Sequence, residues 1–315
     1  MLYSPAPMHI PDGFLSIPVA IILWILSIAL IAIAFRRVSS DLGEREVPVM
    51  GVLAAAIFAG QMLNFSVTGG TSGHLLGAAL ATILLGPWAS ILVLTCVVGI
   101  QALIFQDGGL VVLGANIFNM AIVGSFVAYA VVRLFQRLSG GRRWGIIGGS
   151  FAAGWASIFI AALACALELA LSGTSPANIA VPAMGGIHAL IGIGEGLITL
   201  GAVTLVLAAR PDLLKSGQEH ARATVWVWVT GGLITLVLAV LSPLASSHPD
   251  GLEWVAEQAG FLEKAREPGL SIIPDYTFPG ISNEAVATIL AGIVGSLLVL
   301  AVALLVAYSR RRKST

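Results

Sequence analysis

Met8 and His9 stand side by side in "PMHIPDGFLS" (residues 7–16), and His74 follows the glycine-rich stretch "NFSVTGGTSGHLLGAAL" (residues 64–80). In a chain beginning at Met8, the terminal amine, the His9 amide and the His9 imidazole would be three nitrogens within one chelating reach. Amine and deprotonated amide close a five-membered ring with a metal, and amide and imidazole Nδ1 close a six-membered one. These donors are close to coplanar, and a fourth nitrogen from His74 would complete a square. Tetragonal nitrogen sites suit Ni(II) or Cu(II), whereas zinc prefers a tetrahedron. Displacing an amide proton requires a metal that gains much from planar strong-field ligation, which favours nickel over cobalt(II). The competing reading is plain: a lone histidine beside a Pro-Asp-Gly turn is commonly a surface or capping residue.

The elements that must carry these residues are helices in a membrane. The 315 residues are 57% hydrophobic and 10% charged, against about 25% charged in soluble domains. Apolar runs near the roughly 20 residues that span a bilayer predict an all-α, polytopic helical membrane protein. Nine spans are expected, at 17–35, 47–63, 75–86, 89–105, 110–133, 144–172, 181–208, 224–243 and 284–307. A single helix over 75–105 would be about 46 Å long, too long for a hydrocarbon core of roughly 30 Å. Gly86-Pro87 in "LLGPWAS" divides it, since proline breaks a helix interior. Charge placement agrees: with nine spans and the N-terminus outside, fourteen of the 16 Lys and Arg residues lie inside, including Arg36, Arg45, Arg133, Arg143, Arg210, Lys215, Arg222 and Arg310–Lys313. Only Lys264 and Arg266 fall outside, as the positive-inside rule requires. The C-terminus is then inside, and His9 and His74 share the outer face.

Other classes fit poorly. No basic face suggests nucleic acid. Cys96 and Cys165 sit in apolar runs and read as packing residues. The start lacks a basic n-region, so 17–35 is expected to be a retained helix. No G-x-x-x-x-G-K-[ST] phosphate loop and no H-E-x-x-H motif occur, so neither an ATPase nor an intramembrane metallopeptidase is indicated. His188 and Glu195, seven apart on one helix face, are expected below the outer vestibule, bonding between helices. Glu168 is expected near the outer end of its span, as a weak attractor of cations.

"MHIPDGFL" (8–15), "NFSVTGGTSGHLLGAALA" (64–81) and "GANIFNM" (114–120) resemble the CbiM/NikM family, the substrate-binding membrane components of nickel and cobalt energy-coupling factor transporters. The resemblance covers 8–208 and implies a seven-helix metal-binding domain whose ligands are Met8, His9 and His74. Asp12, Asn64, Ser72 and Asn116, in or near the same loops, are candidate supports for those ligands, because a ligating histidine gives its other ring N–H to an oxygen. The seven residues before Met8 depart from the family and would remove the primary amine, so translation from Met8 or trimming is expected. "HPDGLEWVAE" (248–257) resembles the PDGLE module, the NikN/CbiN-like auxiliary component. Residues 209–315 are therefore expected to form a fused two-helix unit with an outer loop at 244–283, and His248, Asp250 and Glu253 are possible auxiliary cation contacts.

The resemblance implies a non-enzymatic component of an ATP-driven importer in a prokaryotic cell membrane, without cofactor and carrying Ni(II) or Co(II). Its partners would be a transmembrane coupling protein and a cytoplasmic ATPase pair, within membrane lipid and without nucleic acid. Ala55/Ala59, Ala56/Gly60 and Gly77/Ala81 are candidate small-residue contacts for the coupling protein. The alternative is a stand-alone secondary carrier or channel for divalent cations.

Overall fold

Helices account for almost all regular structure because an apolar environment forces each backbone polar group to find a partner within its own segment. The computed structural model describes residues 9–41, 46–209, 221–266 and 269–310. The expectations placed on Met8, Arg45, Arg210, Lys215, Arg311, Arg312 and Lys313 lie outside the described residues. The helices are α1 (Ile17–Asp41), α2 (Glu46–Gln61), α3 (Ala78–Leu85), α4 (Pro87–Ile104), α5 (Leu113–Leu138), α6 (Arg143–Leu171), α7 (Ala177–Ala209), α8 (Ala221–Leu241), α9 (Gly251–Gln258) and α10 (Glu284–Arg310). A small antiparallel hairpin, β1 (Phe65–Val67) and β2 (Thr71–Gly73), pairs Ser66 with Ser72.

Among the described residues, seven helices are long and apolar enough to cross a membrane: α1, α4, α5, α6, α7, α8 and α10. Their outward faces carry large bare apolar side chains, such as Ile25 (62% exposed), Leu233 (60%) and Leu305 (70%). That much apolar surface suits contact with acyl chains rather than water. The break at Gly86-Pro87 occurs as the sequence predicts, with Pro87 opening α4.

The expected span at 75–86 is shorter than the sequence suggested. α3 has only 8 residues, a rise of about 12 Å, less than half a bilayer core. Residues 74–77 ahead of it are not helical. The loop from 64 to 77 instead folds into the bundle: Thr71, Ser72, Leu75 and Leu76 are all buried.

α5 contains a π turn at Ile117–Val123, where Gly124 N–H reaches back to Asn119 O. Such turns cluster at functional sites, and this one carries Asn119 and Met120. The C-terminal helices α8 and α10 pack against α2. Ala55 and Ala59 on α2, Gly77 before α3 and Ala81 on it are buried within this chain, so most of the expected small-residue contacts are already used internally.

α1 and α5 approach closely at Gly114, whose Cβ, if it had one, would stand 2.6 Å from Trp24 Cα. Backbone cannot retreat as a flexible side chain can. Gly114→Ala is expected to destabilise the fold by about 1–3 kcal/mol, read as a lower melting temperature in detergent.

Candidate metal centre

Three irregular segments meet at one end of the bundle: the start of the described chain (9–16), the hairpin loop (64–77) and the α4–α5 connection (105–112). Their polar backbone is buried and must be paired. Asp12 does much of this, since its carboxylate accepts from the backbone N–H groups of Leu110 (3.1 Å), Val111 (2.9 Å) and Val112 (3.2 Å). Asn116 grips Ile10 twice, accepting from its N–H at 3.0 Å and donating to its carbonyl at 3.1 Å. Gly109 N–H adds a third bond to Ile10 O, at 2.9 Å. Gly108 leaves room for the strap: it has φ +94°, and a Cβ there would meet Asn116 Nδ2 and His9 Cβ at 2.9 Å.

The strap delivers His9 into the interior, 4% exposed. Its Nδ1 pairs with Asp107 Oδ1 at 2.8 Å, and its Nε2 is buried without a hydrogen-bond partner. Burial disfavours a charge on His9, but the Asp107 carboxylate and, farther off, Asp250 outweigh it and hold its pKa above the ordinary value. Asp107 also accepts from the Tyr276 hydroxyl at 2.5 Å. Burial and the same carboxylate keep that phenol protonated, with its pKa pushed well up.

His74 comes from the hairpin loop. Its ring centroid is 5.7 Å from that of His9, the planes at 66°. His74 Nδ1 is 3.0 Å from Leu75 O. A carbonyl only accepts, so Nδ1 carries the proton and Nε2 the lone pair. Glu195 on α7 fixes this loop, accepting from Leu76 N–H at 2.7 Å and Gly77 N–H at 3.1 Å.

His9, His74, His188, Asn116, Asn119 and Asp250 line a common cavity of about 80 Å³. His188 thus reaches the same chamber as His9 and His74 and does not lie below it, as the sequence suggested. The reason is the infolding of 64–77, which carries His74 down to the level of His188. His188 Nδ1 bonds Met184 O at 2.9 Å, which by the same logic leaves its lone pair on Nε2. Among the described residues, no group of three His, Cys, Asp or Glu side chains is arranged to hold a metal alone.

The supports foreseen from sequence take other roles. The carboxylate at His9 is Asp107, and Asp12 binds backbone instead. Ser72 donates to His248 O at 2.8 Å and its N–H to Pro249 O at 2.8 Å, tying β2 to the C-terminal segment. Asn64 accepts Ser246 N–H through its carbonyl at 2.7 Å and is not on the cavity. His248 is also off the cavity, beside Ser246. Asp250 lines the cavity and caps α9, accepting from Glu253 N–H at 2.8 Å. Glu168, expected near a surface, is buried and accepts from Asn119 at 2.8 Å. Asp107 was missed, although "QDGGLVVLGAN" places an acid and two glycines just before the "GANIFNM" motif.

These features define a polytopic membrane protein with a cavity lined by histidines and a carboxylate. Residues 9–213 match CbiM, the cobalt uptake substrate-specific transmembrane region, and residues 225–312 match the PDGLE domain. The chain belongs to the CbiM family. It is 40% identical over 93% of its length to a putative fused nickel transport protein NikMN of Archaeoglobus fulgidus, covering 96% of that protein. It is 30% identical to the fused nickel transport protein NikMN of Rhodobacter capsulatus, over 93% of this chain and 95% of that one. A crystal structure described as a transition metal transporter superposes with a TM-score of 0.57 at 36% identity, covering 64% of this chain and 93% of the other.

Two outcomes are expected. Asn116→Ala removes both side-chain bonds to Ile10 and should cost about 1–3 kcal/mol, seen as faster exchange of the Ile10 amide. Burial, opposed by the bond from Glu253 N–H, lifts Asp250 from 3.8 to about 8. The folded chain therefore holds this proton more tightly than the unfolded chain, and stability falls as pH rises between those values. Melting should occur lower at alkaline than at mildly acidic pH, and Asp250→Asn should flatten the dependence.

Proposed function

We propose that this chain is the substrate-binding component of an ATP-driven Ni(II) or Co(II) importer, in which Met8, His9 and His74 hold the ion. As a CbiM-family protein it is a multi-pass transport component and not an enzyme. The observation that carries the metal reading is the meeting of His9 and His74 on one cavity, 5.7 Å between ring centroids. With metal–nitrogen bonds of roughly 2 Å, two imidazoles on one ion have ring centres within about 6 Å.

In the chelate, His9 Nδ1 exchanges Asp107 for the ion while the amide and the Met8 amine complete its side of the square. His74 supplies Nε2, its tautomer set by Leu75 O. Both NikMN relatives are named as nickel transport proteins, one of them putatively, and planar nitrogen ligation favours nickel over cobalt. The metal site faces outside, in keeping with Arg36, Arg37, Arg133, Arg137, Arg142 and Arg143 at the opposite helix ends. Residues 8–208 form the metal-binding domain and 209–315 the auxiliary unit. Energy comes from a coupling protein and an ATPase pair, since the chain has no phosphate loop of its own.

Protein from the native host is expected to begin at Met8 by mass and to bind one Ni(II). His9→Ala and His74→Ala should each weaken binding by at least about 100-fold, since each deletes a ligand outright. Parent-like affinity in either variant, or in a chain beginning at Met1, would refute the ligand set.

A further inference from the structure

Asp107 is shared. One carboxylate oxygen faces His9 Nδ1 at 2.8 Å and the other accepts the Tyr276 hydroxyl at 2.5 Å. Tyr276 comes from the far end of the chain, in the 244–283 segment, yet is 1% exposed. Its placement is heavily restrained. Asp275 and Tyr276 both adopt left-handed backbone, φ +51° and +54°, which costs free energy in residues with a Cβ. Two backbone bonds hold the strained turn, Ile273 N–H to Ile104 O at 2.9 Å and Asp275 N–H to Phe105 O at 3.1 Å. The Tyr276 ring stacks on Phe105 with centroids 4.9 Å apart. These restraints aim one hydroxyl at one carboxylate.

We propose that Tyr276 is a positioning residue for metal ligation by His9, acting through Asp107. The proposal rests on the reading of His9 as a ligand. When Nδ1 turns from Asp107 to the ion, a buried carboxylate loses its histidine, and burying a charge without partners is costly. The Tyr276 hydroxyl remains on the carboxylate and lowers that cost, so it favours the loaded site. The C-terminal segment thereby sets how tightly the site holds its ion without touching it. A purely packing role for the ring, wedged beside Phe58 and Phe105, makes a different prediction, because phenylalanine keeps the stack.

The test uses the full chain with its N-terminus verified at Met8 and Ni(II) as the probe. Tyr276→Phe should weaken binding about tenfold or more and speed release to a competing chelator. The absorption of the bound ion should be unchanged, because its ligands are the same. In an Asp107→Asn background, Tyr276→Phe should add no further weakening, since the two changes share one path. Affinity within about twofold of the parent, or an equal loss in both backgrounds, overturns the proposal. Parent-like binding and absorption in His9→Ala would instead overturn the ligand reading beneath it.

Discussion

The structure depends on a constraint that helices normally remove: irregular backbone lies inside an apolar bundle, and each of its polar groups needs a partner. Asp12 and Asn116 satisfy the strap and the α4–α5 connection. Glu195 and Gln61 both engage Leu76, the first through its N–H and the second through its carbonyl at 3.0 Å. Ser72 and Thr71 satisfy the Pro249 turn. These side chains look like chemistry in the sequence, but most of them are structural. By taking the backbone's bonds they leave the imidazoles of His9, His74 and His188 to face a cavity.

The C-terminal segment belongs to the same constraint. It bonds the hairpin through Ser72, the strap through Arg266 N–H to Asp12 O at 2.7 Å, the α6–α7 turn through Lys264 to Thr174 O at 3.2 Å, and the end of α4 through Ile273. Every irregular segment at this end of the bundle is therefore tied to 244–283. The short helix α9 turns Leu252, Val255 and Ala256 inward and leaves Glu257 in solvent. It acts as a wall of the chamber on one face and an ordinary amphipathic helix on the other.

The helices were legible because apolar run length and proline placement report directly on them. Gly86-Pro87 marked the break before α4 correctly. The motif histidines His9 and His74 were legible as a pair because their glycine and proline surroundings are unusual for a membrane chain. The depth of the 64–77 loop was not, since nothing local says that Glu195, over 100 residues later, will accept its N–H groups. Asp107 and Tyr276 were hidden for the same reason: neither sits in a spacing pattern, and their value arises only when residues 9, 107 and 276 meet. His188 was misjudged from helix periodicity alone, which gives a face but not the height at which another segment arrives.

The placement of acids bears on how an ion could leave. A pore or secondary carrier needs carboxylates that meet the ion along its path. Glu195 spends both oxygens on Leu76 and Gly77, and Glu168 is held by Asn119. The chamber of about 80 Å³ is lined instead by His9, His74, His188 and Asp250, contributed by the strap, the hairpin loop, α7 and the 244–283 segment. The strap, the hairpin and the 244–283 segment are bonded to one another, which makes any rearrangement of the chamber walls a collective step. No G-x-x-x-x-G-K-[ST] phosphate loop occurs in the sequence, so none of this chain's own motifs links that step to nucleotide hydrolysis.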